Sequence, residues 1–134
     1  MRRYLAAFLV LTACTETDVG IDTVAEGAEV YARSCAACHG PAGQGDGPMA
    51  ANLIAPPPDL TRLSARNGGE FPRDYVMSVI DGYHRGARFS AAMPEFGAGD
   101  MGPLITVKGP DGQGTPVPRA LLALADYLET LQRP

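Results

Sequence analysis

The stretch Cys35-Ala36-Ala37-Cys38-His39 carries the clearest chemistry in this chain. Two thiols three positions apart face one side of a helical turn, and each can bond one vinyl group of a porphyrin. An imidazole directly after the second thiol is then held under the iron as an axial ligand. The spacing therefore points to one covalently attached c-type haem held by Cys35, Cys38 and His39. Two other uses of paired cysteines fit less well. A structural zinc ion takes four ligands, and outside this cluster only Cys14 and His84 remain. A thioredoxin-like dithiol opens a helix after a strand in a βαβ unit, whereas here the residues before Cys35 have a helical pattern and no βαβ unit follows.

Several elements must position that motif. Thr23-Val24-Ala25-Glu26 has the form of a capping box and predicts a helix from near Val24 to about Ala37. Gly27, Tyr31 and Cys35 recur every four residues, so one stripe of this helix points towards the haem. A glycine inside a helix costs about 1 kcal/mol relative to alanine, so Gly27 suggests close approach of another helix. The partner is predicted at Arg119 to Leu131, after Pro118 as a first-turn residue. Leu121, Leu124, Leu128 and Leu131 lie at helical spacing there, with Tyr127 three beyond Leu124.

A shorter helix is expected after Phe71-Pro72-Arg73-Asp74, with Tyr75, Val76, Val79 and Ile80 as its buried face, Met77 as core packing and Gly82 as its stop. Asn67-Gly68-Gly69 is a turn, and Pro56-Pro57-Pro58 a stiff, extended loop. Leu104–Lys108 and Thr115–Val117 read as extended pieces around a loop from Gly109 to Gly114, forming a small hairpin that Pro116 confines to an edge.

The amino terminus has the form of an export signal. Met1-Arg2-Arg3 precedes a mostly apolar run from Tyr4 to Ala13 that is too short to cross a bilayer as an unflanked helix. Leu11-Thr12-Ala13-Cys14 resembles the lipobox of bacterial lipoproteins, in which the chain is cut before the cysteine and the thiol is acylated. A plain secretory cut after Ala13 would leave Cys14 as a lone thiol in an oxidising compartment, which favours lipidation. The expected organisation is a signal peptide at 1–13, a tether at 14–22 and one domain at 23–134. Loss of Arg2 and Arg3 would take 11 basic against 15 acidic residues to 9 against 15, a net charge of −6. That balance argues against a nucleic-acid partner and suits steering towards a basic patch on a redox protein, although plain solubility explains it equally well.

Taken together, these features resemble the class I c-type cytochromes. Members carry a glycine and an aromatic residue four apart before the haem motif, here Gly27 and Tyr31, on a helix that crosses a C-terminal one bearing Leu-x-x-aromatic, here Leu124 and Tyr127. The glycine-rich stretch from His39 to Pro48 is similar to the loop after the haem histidine in many bacterial members. The resemblance covers roughly 24–132 and implies a small all-α fold, crossed terminal helices around one covalent haem c, with the hairpin as a possible insert. It also implies that a proline carbonyl before an Asn/Asp-Leu pair accepts the Nδ1–H of the haem histidine; Pro58, before Asp59-Leu60, takes that place.

For the second axial position the resemblance points to Met93, because Met93-Pro94 is similar to the Met-Pro step of the family's distal loop. Met101 in the same loop and His84 are rivals, and an open site is the remaining option. His/Met ligation implies a comparatively high potential. Arg85 and Arg88 near His84 are either partners of haem propionates or a solvated cluster. No hydrolytic triad, phosphate loop or paired carboxylates stand out, so an enzyme is not expected. The expected role is single-electron transfer between redox partners, from a lipid-anchored site on the periplasmic side of a bacterial membrane. A haem-bearing subunit of a dehydrogenase or respiratory complex is the first alternative, and an open-site gas or peroxide binder the second.

Overall fold

The computed structural model describes residues 22–83, 92–108 and 112–134. The proposed signal peptide, Cys14, His84, Arg85, Arg88 and residues 109–111 lie outside that description.

Helix α1 spans Thr23–Ser34, and its cap is Asp22 rather than Thr23. The Asp22 carboxylate accepts the Ala25 N–H at 3.0 Å. The capping box does not form, since Glu26 pairs with Arg119 at 2.8 Å instead of turning back on its own helix. α1 also ends earlier than the expected Ala37. Cys35, at φ −120°, leaves helical geometry, and a short α2 covers Ala36–His39. The break is tight, because the Cys35 carbonyl accepts the Cys38 and His39 N–H groups at 3.1 and 2.9 Å.

Two short elements follow that the sequence pattern did not disclose. A 3₁₀ turn at Leu60–Arg62 leads into α3, Leu63–Arg66. Asp59 starts the turn by accepting the Thr61 N–H at 2.8 Å and the Thr61 hydroxyl at 2.7 Å. Too short for a periodic pattern, this segment is fixed by local side-chain bonding.

Helix α4 spans Arg73–Asp81, capped by Pro72 and closed by Gly82 at φ 106°. Val76 and Ile80 are buried and Val79 is half-buried. Tyr75, expected on the buried face, is 58% exposed. It flanks the Val76–Ile80 stripe by one residue, about 100° around the helix. Arg73 bridges to Asp126 and Glu129 of the last helix. Burial works against that cation, but the hydrogen bonds and charges of Asp126 and Glu129 outweigh it and raise its pKa.

Strands β1 (Leu104–Lys108) and β2 (Gly114–Pro118) pair antiparallel, with Ile105 opposite Val117 and Thr106 opposite Pro116. A two-stranded sheet has only edge strands, so Pro116 is tolerated. The chain then enters α5, Arg119–Thr130. The first N–H groups of α5 would lack helical partners, but Arg119 donates to the Pro103 carbonyl at 2.9 Å and Ala120 to that of Met101 at 3.1 Å.

The core lies where α1 and α5 cross. Tyr31 of α1 and Leu121, Ala123, Leu124, Ala125 and Leu128 of α5 are buried. A Cβ on Gly27 would sit 1.9 Å from the Ala123 carbonyl oxygen, so only glycine permits this approach. The rings of Tyr31 and Tyr127 meet at 5.3 Å, tilted by 51°. Among the described residues, no helix is long and apolar enough to cross a membrane.

Candidate functional site

The motif occupies the corner between α1 and α2. Cys35 and Cys38 are both half-buried thiols outside any disulfide. Burial, and next the negative charge of Cys38, push the Cys35 thiol up to about 11. That is the opposite of a dithiol oxidoreductase, whose attacking cysteine has a depressed pKa. Among the described residues no cluster of three or more His, Cys, Asp or Glu could hold a metal ion.

The backbone after the motif folds back on it. Gly45 N–H donates to the His39 carbonyl at 2.8 Å, Gly47 N–H to Cys38 at 3.2 Å and Met49 N–H to Ala37 at 2.9 Å. Gly40, Gly43 and Gly45 all have positive φ, which makes these reversals cheap only for glycine. Close packing adds a second demand. A Cβ on Gly45 would fall 2.3 Å from the Pro57 carbonyl oxygen. The glycine loop thereby lets the proline segment lie against the motif.

His39 gains from this arrangement. Its Nδ1 lies 3.4 Å from the Pro58 carbonyl oxygen. A carbonyl can only accept, so Nδ1 carries the proton and Nε2 keeps its lone pair. Burial lowers the His39 pKa, and the bond to Pro58 opposes it in part. At neutral pH the ring is thus an uncharged imidazole with a free ligating nitrogen. Tyr31 ties the helix crossing to the loop by donating its hydroxyl to the Gly40 carbonyl at 2.7 Å. Burial first, then the charges of Cys35, Tyr127 and Asp46, raise the Tyr31 pKa and keep that donor protonated.

Around the core lies a set of half-buried apolar side chains that includes Leu60, Leu63, Phe71, Phe96, Met93 and Met101. Met93 and Met101 are both half-buried against the core, so burial alone does not separate them. Met77 is also half-buried against the core, as a packing residue would be, while Met49 is half-exposed.

The residues present fit a covalent porphyrin. Two unpaired thiols sit on one turn beside an imidazole with Nε2 unprotonated, and half-covered apolar side chains pack, with Cys35, against the same core. The sequence alone does not reveal how the segment after Pro58 is held. There the carboxamide of Gln132, a residue no motif marks, bonds the backbone of Leu60, Ser64 and Leu128.

No curated protein matches the chain. The family model described as cytochrome c matches residues 24–106, from the first turn of α1 into β1, and so spans the motif, Pro58 and both candidate methionines. The chain belongs to the cytochrome c family, and its cofactor is covalent haem c.

Proposed function

We propose that the protein is a single-electron carrier, not an enzyme, with Cys35 and Cys38 as the thioether attachments, His39 as one axial ligand and Met93 as the other. The observation that carries this reading is the His39 imidazole, neutral and oriented by the Pro58 carbonyl at 3.4 Å, directly after two unpaired thiols. The bound haem supplies a one-electron ferric/ferrous couple. The protein's residues keep that couple from reorganising. The bond to Pro58 fixes the ring's tautomer and strengthens Nε2 as a donor. The break at Cys35 sets both sulfurs and the imidazole on one corner, while the glycine loop holds the corner by its backbone. A proline at 94 disfavours helical backbone at Met93, which suits a side chain projecting from a loop.

Lipid attachment at Cys14 would confine this exchange to the periplasmic face of a bacterial membrane, where donor and acceptor proteins dock. One observation supports the related reading of a subunit in a larger redox complex. Leu104, at the start of the hairpin, is 66% exposed and would be covered by a neighbour in such a complex.

Optical spectra of the exported, haem-loaded protein test the carrier reading. A weak far-red thioether–iron band in the ferric state, and a ferrous spectrum unchanged by carbon monoxide, are expected. Met93→Ala should lose the band and bind carbon monoxide, whereas Met101→Ala should do neither. Ready carbon monoxide binding by the unmutated protein would overturn the closed-site carrier in favour of a gas or peroxide binder.

A further inference from the structure

The C-terminal tail reaches back to the segment that carries Pro58. Beyond the end of α5, the Gln132 Nε2 donates to the Leu60 carbonyl at 2.9 Å and to the Leu128 carbonyl at 2.8 Å. Its Oε1 accepts the Ser64 N–H at 2.9 Å. Both amide hydrogens and the amide oxygen are therefore committed to backbone. Next to it, Arg133 N–H donates to the Thr61 carbonyl at 2.8 Å. From the other side, the Leu60 N–H donates to the Gly43 carbonyl at 2.7 Å.

Leu60 is thus held at both ends of its backbone, by the glycine loop through its N–H and by Gln132 through its carbonyl. Pro58 lies two residues upstream. Asp59, between them, is fixed by Thr61, a side chain only 2% exposed, and its carbonyl accepts from Arg66 at 2.6 Å. The Pro58 carbonyl therefore does not swing freely against His39. Its place depends on the 59–64 segment, which the Gln132 carboxamide clips to the end of α5, with the Arg133 N–H on Thr61 and the Arg62 guanidinium on the Pro134 carbonyl beside it.

We propose that Gln132 is a positioning residue for the His39 imidazole. By locking Leu60 and Ser64 onto the end of α5, it keeps the Pro58 carbonyl within reach of Nδ1–H and so biases the iron couple towards ferric. This rests on the reading above that His39 ligates the iron. An imidazole whose Nδ1–H is well bonded donates more charge through Nε2, which favours the ferric state. Loosening the clip lengthens that bond, weakens the donor and raises the potential.

The test uses the full-length, haem-loaded protein and Gln132→Met, which keeps the bulk and removes all three hydrogen bonds. The reduction potential should rise by about threefold in the ferric/ferrous equilibrium, or about 28 mV from the 59 mV per tenfold of a one-electron couple. In the ferrous protein, the His39 Nδ1–H proton resonance should move upfield and exchange faster with solvent. Gln132→Asn, too short to span Leu60 and Ser64 together, should shift both readouts in the same direction and serves if the first variant fails to fold. A lower Tm with unchanged potential and unchanged Nδ1–H exchange in either variant would overturn the proposal and leave Gln132 a structural residue. If the His39 ring protons of the unmutated ferrous protein lack the strong ring-current shifts of an iron ligand, it is the ligation reading that fails.

Discussion

The α1–α5 crossing and the loop from Cys35 to Pro58 share Tyr31 but are held by different forces. At the crossing, Leu124 is 1% exposed, Gly27 lies against the Ala123 carbonyl, and the Tyr31 and Tyr127 rings touch. Close-packed apolar side chains stabilise it, at about 25 cal/mol for each Å² removed from water. The loop contributes no buried apolar side chain; its buried residues are Gly40, Gly43 and Gly47. It is shaped by the backbone bonds that Gly45, Gly47 and Met49 send back to the motif. The first region is a close-packed scaffold. The second is a mould, and in a cytochrome c the haem supplies the apolar bulk that it lacks.

If that contrast is right, the largest loss should come from forcing the scaffold apart. Gly27→Val would drive a branched side chain into the Ala123 carbonyl and the Tyr127 Cβ, which an ideal Cβ already meets at 1.9 and 2.8 Å. Overpacking of this kind should cost roughly 3 kcal/mol, read as a lower urea midpoint, and should do so with or without haem. The mould responds differently. In Gly45→Ala the left-handed backbone at φ 81° and the Pro57 carbonyl at 2.3 Å both oppose the new methyl, for about 2 kcal/mol in total. Its distinguishing effect should be local, because displacing Pro57 moves the neighbouring Pro58 carbonyl. The haem-loaded variant should show an altered His39 Nδ1–H signal that Gly27→Val lacks.

The same contrast explains what could be read from the sequence. The scaffold was legible because its information is periodic: leucines at helical spacing in α5 and Gly27 four residues before Tyr31. The haem motif was legible because covalent chemistry demands one spacing. Capping was less so. Asp22 and Thr23 are both good caps, and the choice fell to Asp22 because Glu26 is taken by Arg119 from the far end of the chain. Tyr75 misled because an aromatic beside a buried stripe looks like part of it until α4 is docked. α3 and the Gln132 clip were invisible for a related reason. α3 rests on the local Asp59–Thr61 bonds, too short a pattern to show, and the clip on hydrogen bonds from Gln132 to Leu60 and Ser64, about 70 residues away, which no local pattern records. The hairpin, by contrast, followed from its β-branched residues and the glycines between its strands.

Tyr31→Phe tests the link between the two regions. The hydroxyl donates to the Gly40 carbonyl at 2.7 Å from a side chain only 2% exposed. Its loss strands a buried acceptor while leaving the ring contact with Tyr127 intact. A destabilisation of about 1 kcal/mol is expected, or roughly 5 °C in Tm. A larger loss would mean that the crossing itself depends on the loop.

The smallest expected effect concerns acid. The Thr61 hydroxyl, with its N–H and the charges of Arg66 and Arg133, holds the Asp59 carboxyl below its usual value, against slight desolvation. A carboxyl whose folded pKa lies below the unfolded one, about 3.9, binds protons more readily when unfolded. Its stabilisation is therefore complete above that value and is lost as pH falls through the folded pKa. Asp59→Asn keeps an oxygen acceptor for Thr61 but no longer titrates. The urea midpoint of the unmutated protein should then fall more steeply below about pH 4 than that of Asp59→Asn, with the two close together at pH 7. The difference should be slight, since water still screens a half-buried carboxylate. Equal acid limbs would mean that Asp59 shapes the turn by geometry alone, and that its charge does not help hold the segment carrying Pro58.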